Sequence, residues 1–348
     1  MSDQPTATLT EIAEELERRA GIRAHEATIR KALREAGVHR VRGEEQAQRL
    51  ARESGQRDGY SEVRRRFDAK QLYPSCLTDA EWSLVKDLFD NEGGRGKPAE
   101  VSRRELVDAC CYVVRTGCSW RMLPREFPPW HNVYKTFRRW SAQGKFERMH
   151  DRLRELWRQR EGRDQAPSAA VLDAQSTRGS PQGGPSGYDA GKKIKGRKRS
   201  LVVDTFGLVL AVSVAAANLQ DRDAGMDAVQ RAATKYPSVE TLFVDSAYGG
   251  KCARTIHEQH GITVEVVRHP ANRTVGRWLN CNQGELFEIR ENADGFVPLP
   301  KHWVVERTHG WNERARRLLM HHDVLPEVSE TWVWLAGARI LLPRLTTV

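Results

Sequence analysis

The chain has 348 residues, with 56 Lys and Arg against 46 Asp and Glu, a formal charge of +10 and a pI near 9.5. A mean hydropathy of −0.64, 29% charged residues and no window near the roughly 18 apolar residues of a spanning helix argue against an integral membrane protein. Six cysteines in a chain whose start lacks the apolar core of a secretory signal predict a reduced, cytoplasmic setting, and the length suits two or three domains. The basic surplus is local. Residues 101–200 carry 22 basic and 10 acidic side chains, whereas the segments before and after are each one charge negative. A positive stretch this concentrated, with no amphipathic anchor beside it, points to nucleic acid.

In chain order, Thr8 to Arg19 reads as an amphipathic helix with Thr8 and Glu11 spaced as a capping box. A second helix, Glu26 to Ala36, presents Thr28, Arg30, Lys31 and Arg34 outward and stops at Gly37. The pair has a helix-turn-helix outline and equally that of a plain helical hairpin. Residues 46–72 are polar, charge-mixed linker. From Thr78, again in a capping box with Glu81, helical spacing runs to about Arg160. Its Trp130 to Trp140 stretch sets Lys135, Arg138 and Arg139 among aromatic residues that can stack on bases or fill a core.

After Pro167 the period changes from helix to strand. Ala169 to Asp173 is a short apolar strand ending in a carboxylate, and two strands flank the turn at Phe206-Gly207. A helix, the strand Thr241 to Asp245, a second helix, the strand from Thr263, a long helix from Trp303 to Met320 and a closing helix from Thr331 to Leu342 follow. The order predicts a mixed α/β domain with one antiparallel pair.

Asp173 and Asp245 each end an apolar strand, where α/β sheets collect their ligand sites, and Glu306 lies in the first turn of a helix. A carboxylate carried into a nearly dry site is costly unless a cation meets it. Three such groups suit Mg²⁺ or Mn²⁺, which prefer hard oxygen donors. Asp204, Asp221 and Asp223 compete, but the first precedes a turn and the others cap a helix. Between the two leading aspartates, six of the eight residues from Lys192 to Arg199 are basic: Lys192, Lys193, Lys195, Arg197, Lys198 and Arg199. Such density repels itself unless a polyanion covers it, and the neighbouring glycines suit close approach to phosphate.

From Tyr73 to Leu345 the chain resembles the DDE transposases of the insertion-sequence-five group. The resemblance rests on LTDAEW, RTGCSWRMLPREFPPW, VYKTFRRW, GGPSGYDAGKKIKGRKRSLVVDTFGLVLAV, NLQDRD, VDSAYGG and WVVERTHGW followed by RARRL. It implies a ribonuclease H-like catalytic domain over 166–348 and a helical DNA-handling domain over 73–165. It also implies that Asp173, Asp245 and Glu306 hold two Mg²⁺ or Mn²⁺ ions. The implied activity is cleavage at inverted-repeat ends of double-stranded DNA and transfer of the 3′-OH to target DNA, by a homodimer in the synaptic complex. Two positions depart from the family pattern: His302 stands where relatives often carry Arg, and Glu313 where the wider superfamily can carry Lys. Arg314 and Arg317 remain as expected phosphate contacts. The residues ahead of Tyr73 resemble an added helix-turn-helix over 1–45. Rival readings are a non-catalytic repressor derived from a transposase and a structure-selective nuclease on the same fold.

Overall fold

The structure, a computed structural model, describes residues 72–90, 101–267 and 302–347. The chain divides into two compact units at residue 70, and all of these residues belong to the second, Gln71–Val348. The helix-turn-helix expected over 1–45, with Thr28, Arg30, Lys31 and Arg34, lies outside the described residues, as does the linker short of Leu72.

Helix α1 (Asp79–Ser83) opens on its capping box: Glu81 N donates to Thr78 Oγ1 at 3.1 Å and Thr78 N to Glu81 Oε2 at 3.0 Å. Helix α2 (Arg103–Thr116) stops at Gly117, whose φ of 71° lets its N–H turn back to the Val113 carbonyl. Helices α3 (Trp130–Ala142) and α4 (Lys145–Arg160) bury Val133, Phe137 and Trp140, and Phe146, Met149 and Leu153, at helical spacing.

The six strands are β1 (Ala169–Arg178), β2 (Gly187–Asp189), β3 (Ile194–Asp204), β4 (Val209–Ala216), β5 (Thr241–Val244) and β6 (Thr263–Val266). Central β1 pairs antiparallel with β3 and parallel with β5; β3 also pairs with β4 and β2, and β5 with β6. Helices α5 (Asp221–Lys235) and α6 (Lys251–His260) make the crossovers to the parallel strands. The order β4-β3-β1-β5-β6, an antiparallel meander continued by two parallel strands, is a ribonuclease H-like mixed sheet.

Side-chain alternation splits the sheet between two cores. Ala170, Leu172, Val202 and Leu210 pack with α5 and α6, whereas Val171, Leu201, Val203 and Val212 join the helices that precede the sheet. Helices α7 (Trp303–Glu313) and α8 (Pro326–Thr346) complete this second core. The Trp332 ring of α8 stacks on Phe137 of α3 with centroids 4.2 Å apart.

Three elements differ in extent from their expected bounds. Strand β1 continues past Asp173 to Arg178, because Gln175, Ser176 and Thr177 pair with Arg199, Lys198 and Arg197 of β3. The basic tract is therefore largely strand. The helix from Trp303 ends at Glu313, with a separate 3-10 turn at Arg316–Leu318, and the closing helix spans 326–346. No helix among the described residues is long and apolar enough to cross a membrane.

Candidate active site

Pairing of β1 with β5 decides where the two aspartates fall. Val171 stands opposite Phe243, so two residues further along each chain Asp173 and Asp245 arrive side by side. Asp173 lies within β1, and Asp245 directly follows β5 as the cap of a 3-10 turn, where its Oδ1 accepts from Ala247 N at 2.9 Å. Asp173 lies on the same sheet face as Val171, the face that α7 covers.

Helix α7 meets that face with His309 and Glu313 and carries Glu306 in its first turn. Glu306 is 45% exposed, with Oε1 at 3.4 Å from Nδ1 of buried His302. His309, one turn on and also buried, places Nε2 at 3.4 Å from Asp173 Oδ2. Glu313 at the end accepts a hydrogen bond from Gln175 Nε2 at 2.9 Å. Asp173 and Gln175 are two apart on a strand and His309 and Glu313 four apart on a helix, so both rungs join the same two faces. They fix how α7, and with it Glu306, lies along β1.

The electrostatics separate the two aspartates. Burial pushes the Asp173 carboxyl up, but the His309 side chain, His302 and the Ala174 amide together more than offset this, leaving its pKa below the usual value. Asp245 is held above the usual range by burial first, then by the negative charges of Asp173 and Asp221, against the Ala247 hydrogen bond and His302. Two carboxylates that repel each other in a partly buried place form a site that a cation relieves. Among the described residues no three His, Cys, Asp or Glu side chains close to ligand distance. The carboxylate oxygens of Asp173 and Asp245 are of the donor type that a hard divalent ion prefers.

Two of the three competing acids, Asp204 and Asp221, have structural partners. Asp204 is fully buried, pairs with Arg158 at 2.8 Å and takes the Phe206 and Leu208 amides that form the β3–β4 turn. Asp221 pairs with Lys198.

Several cations expected to face phosphate do not. Arg197, Lys198 and Arg199 are 2%, 4% and 1% exposed. Arg197 donates to the carbonyls of Pro185, Gly183, Asp323 and Val324, Lys198 to Leu219, and Arg199 to Leu318. Burial lowers the Arg199 pKa to about 10, the Glu313 charge opposing. Arg317 is also buried, pairing with Asp323 at 2.9 Å. The glycines serve this packing too: a Cβ on Gly196 would collide with the Thr177 carbonyl. Lys192, Lys193, Lys195 and Arg314 are exposed, as are Lys135 and Arg139, with Arg138 half-buried. On α3, Phe137 and Trp140 are core, whereas Trp130 and Tyr134 remain over a third exposed beside the basic residues.

Sequence reasoning missed His309, Gln175 and Glu313 as neighbours of the acids. The spacing Glu306, His309, Glu313 was the available signal, since residues three and four apart share a helical face.

The ribonuclease H-like sheet with acids juxtaposed across its central parallel strands defines a nucleic-acid-cutting and strand-transferring class of enzyme. More narrowly, the chain belongs to the DDE transposases: the family profile "Transposase DDE domain" matches residues 164–341, just over half of the 348. The IS4/5-family transposase profile DUF4096 matches residues 77–150. Among solved structures, one described as "Crystal structure of the Mos1 mariner paired end complex with Mn" is similar at 14% identity, covering 74% of this chain and 78% of that one. Its TM-score is 0.19, too loose a superposition to inform the fold. No curated protein matches the chain.

Proposed function

We propose that the protein binds the terminal inverted repeats of a mobile element, hydrolyses the phosphodiester bond at each end and joins the freed 3′-OH to target DNA. The observation that carries this reading is the apposition of Asp173 and Asp245 across β1 and β5, with Glu306 on the helix that two rungs fasten to β1. Asp173, Asp245 and Glu306 would hold two Mg²⁺ or Mn²⁺ ions, which when bound supply an activated attacking oxygen and neutralise charge on the leaving 3′ oxygen. Exposed Lys192, whose Nζ lies by Ala174, together with Lys193, Lys195 and Arg314, and Lys135, Arg138 and Arg139 on α3, carry the phosphates of double-stranded DNA. Residues 1–45 act as a separate helix-turn-helix reader, joined by the 46–72 linker to a helical segment over 73–165 and a catalytic one over 166–348. Synapsis of two ends calls for a homodimer.

The test is a cleavage gel on the DNA that flanks the coding region, with Mg²⁺. The wild-type chain yields cut ends and joined products, and Asp173→Ala reduces both to background while retaining DNA binding. Equal cutting by Asp173→Ala would sink the assignment. A wild-type chain that binds but never cuts, with Mg²⁺ or Mn²⁺, would make it a repressor.

A further inference from the structure

A groove of about 520 Å³ runs between the β2–β3 hairpin and the segment entering α5, with Ala247, two residues after Asp245, in its lining. One wall is the β2–β3 hairpin, with Tyr188 and Lys192; the other is the segment entering α5, with Asn218, Gln220 and Arg222. Its lining includes Ala247, whose amide donates to Asp245, and Lys192, whose Nζ donates to the carbonyl of Ala174, the residue next to Asp173. The groove thus borders on residues adjoining both acids.

Its walls are held from beneath. Buried Lys198 donates to the Leu219 carbonyl at 2.6 Å and pairs with Asp221 on one wall and with Asp189, at 3.7 Å, on the other. Ser176 of β1 adds a hydrogen bond to Asp189. Gly187 brings the hairpin so close that a Cβ there would collide with Asn218. A cavity of this size, preformed and lined by a few placed polar groups, has the character of a ligand site.

The lining selects the ligand. Tyr188 is 56% exposed, unusual for a large aromatic ring, and so offers a free face. Lys192 and Arg222 are exposed cations, and the Asn218 and Gln220 amides are exposed groups that both donate and accept. Ring, cation and amide together match one nucleotide: base, phosphate and base edge. In a duplex the base faces are hidden in the stack, so a ring at this place finds one only where the strand is unpaired.

We propose that this groove is a subsite for a single unpaired nucleotide of the DNA strand being cut, its base stacked on Tyr188 and its phosphate carried by Lys192 and Arg222. The subsite rests on the transposase reading above. Stacking is tolerant of base identity, so the subsite holds the strand next to the acids without reading its sequence.

The full chain carrying Asp173→Asn, which cannot cut, is titrated with a short single-stranded oligothymidylate bearing one 2-aminopurine. Binding quenches the probe. Adding Tyr188→Ala weakens affinity about tenfold, the usual loss for one stacked base, and removes most of the quenching. Tyr188→Phe keeps both, and thermal unfolding is unchanged in either. Tyr188→Ala binding and quenching like its parent, or Tyr188→Phe failing as badly as Tyr188→Ala, overturns the subsite. The parent reading is scored separately, by end cleavage with Asp173 intact. Cleavage present with no Tyr188 effect overturns the subsite alone; a Tyr188 effect with no cleavage overturns the parent reading alone.

Discussion

At Asp173 opposing influences meet: burial favours the protonated acid, while the His309 side chain 3.4 Å away, His302 and the Ala174 amide favour the carboxylate and together prevail. His309 therefore helps to keep an ionised oxygen within β1 and to orient it. Partners of this kind typically contribute ten- to a hundredfold. His309→Ala is expected to lower end-cleavage turnover by about that factor while leaving DNA affinity in a gel shift unchanged, and His309→Gln, which keeps a donor, to recover part of the loss. Turnover equal to wild type in His309→Ala would remove His309 from the site. Asp173 and Asp245 stood out in the sequence because each closes an apolar run, although β1 continues past Asp173 to Arg178. His309 did not, because it reaches Asp173 only once α7 has docked on β1, more than a hundred residues away in the chain.

Among the elements, β3 shows most clearly what local pattern cannot supply. Six cations in eight residues read as a loop under a polyanion, since nothing nearby in the sequence can neutralise them. The structure pairs the tract with the polar half of β1 and satisfies Arg197 with carbonyls of Asp323 and Val324. A guanidinium has five donors, and a turn of main chain brought alongside can take most of them. Local signals did suffice where the controlling residue is itself local, as at the Thr78–Glu81 box and the Gly117 stop. Gly117 also carries tertiary weight: at φ 71° an added Cβ would stand 3.1 Å from the Arg316 backbone, in the 3-10 turn that follows α7. Gly117→Ala is expected to destabilise the chain by about 1–2 kcal/mol through backbone strain and that contact, measured as a lowered urea midpoint with unchanged slope. An unchanged midpoint would show that the α2 terminus relaxes freely.

Across the whole described unit, the helices before the sheet and the sheet itself are not independent, because α8 supplies side chains to the core they share. Trp332 touches Phe137 and Trp120 with its ring and Asp323 with its Nε1. Trp332→Ala is expected to cost about 3–5 kcal/mol. Native-state hydrogen exchange should show the loss equally in amides of α3 and β3; a loss confined to α3 would mean that helices and sheet open separately. The mixed sheet was predictable from the order of periodic segments, but the fusion of both parts into one core was not. Periodicity marks which face of a helix is apolar and leaves open which element will cover it.

Because α8 comes after every other element of this core, the order of synthesis matters. On a ribosome, Phe137, Val133 and the sheet face bearing Val171 and Val203 emerge long before residues 326–346 exist to cover them. Asp173 and Asp245 can pair as soon as their strands do, but α7 is not backed by its neighbour until α8 arrives. A nascent chain therefore carries Asp173 and Asp245 on an open, poorly packed sheet, and α7, with Glu306 in its first turn, is backed only once α8 has docked.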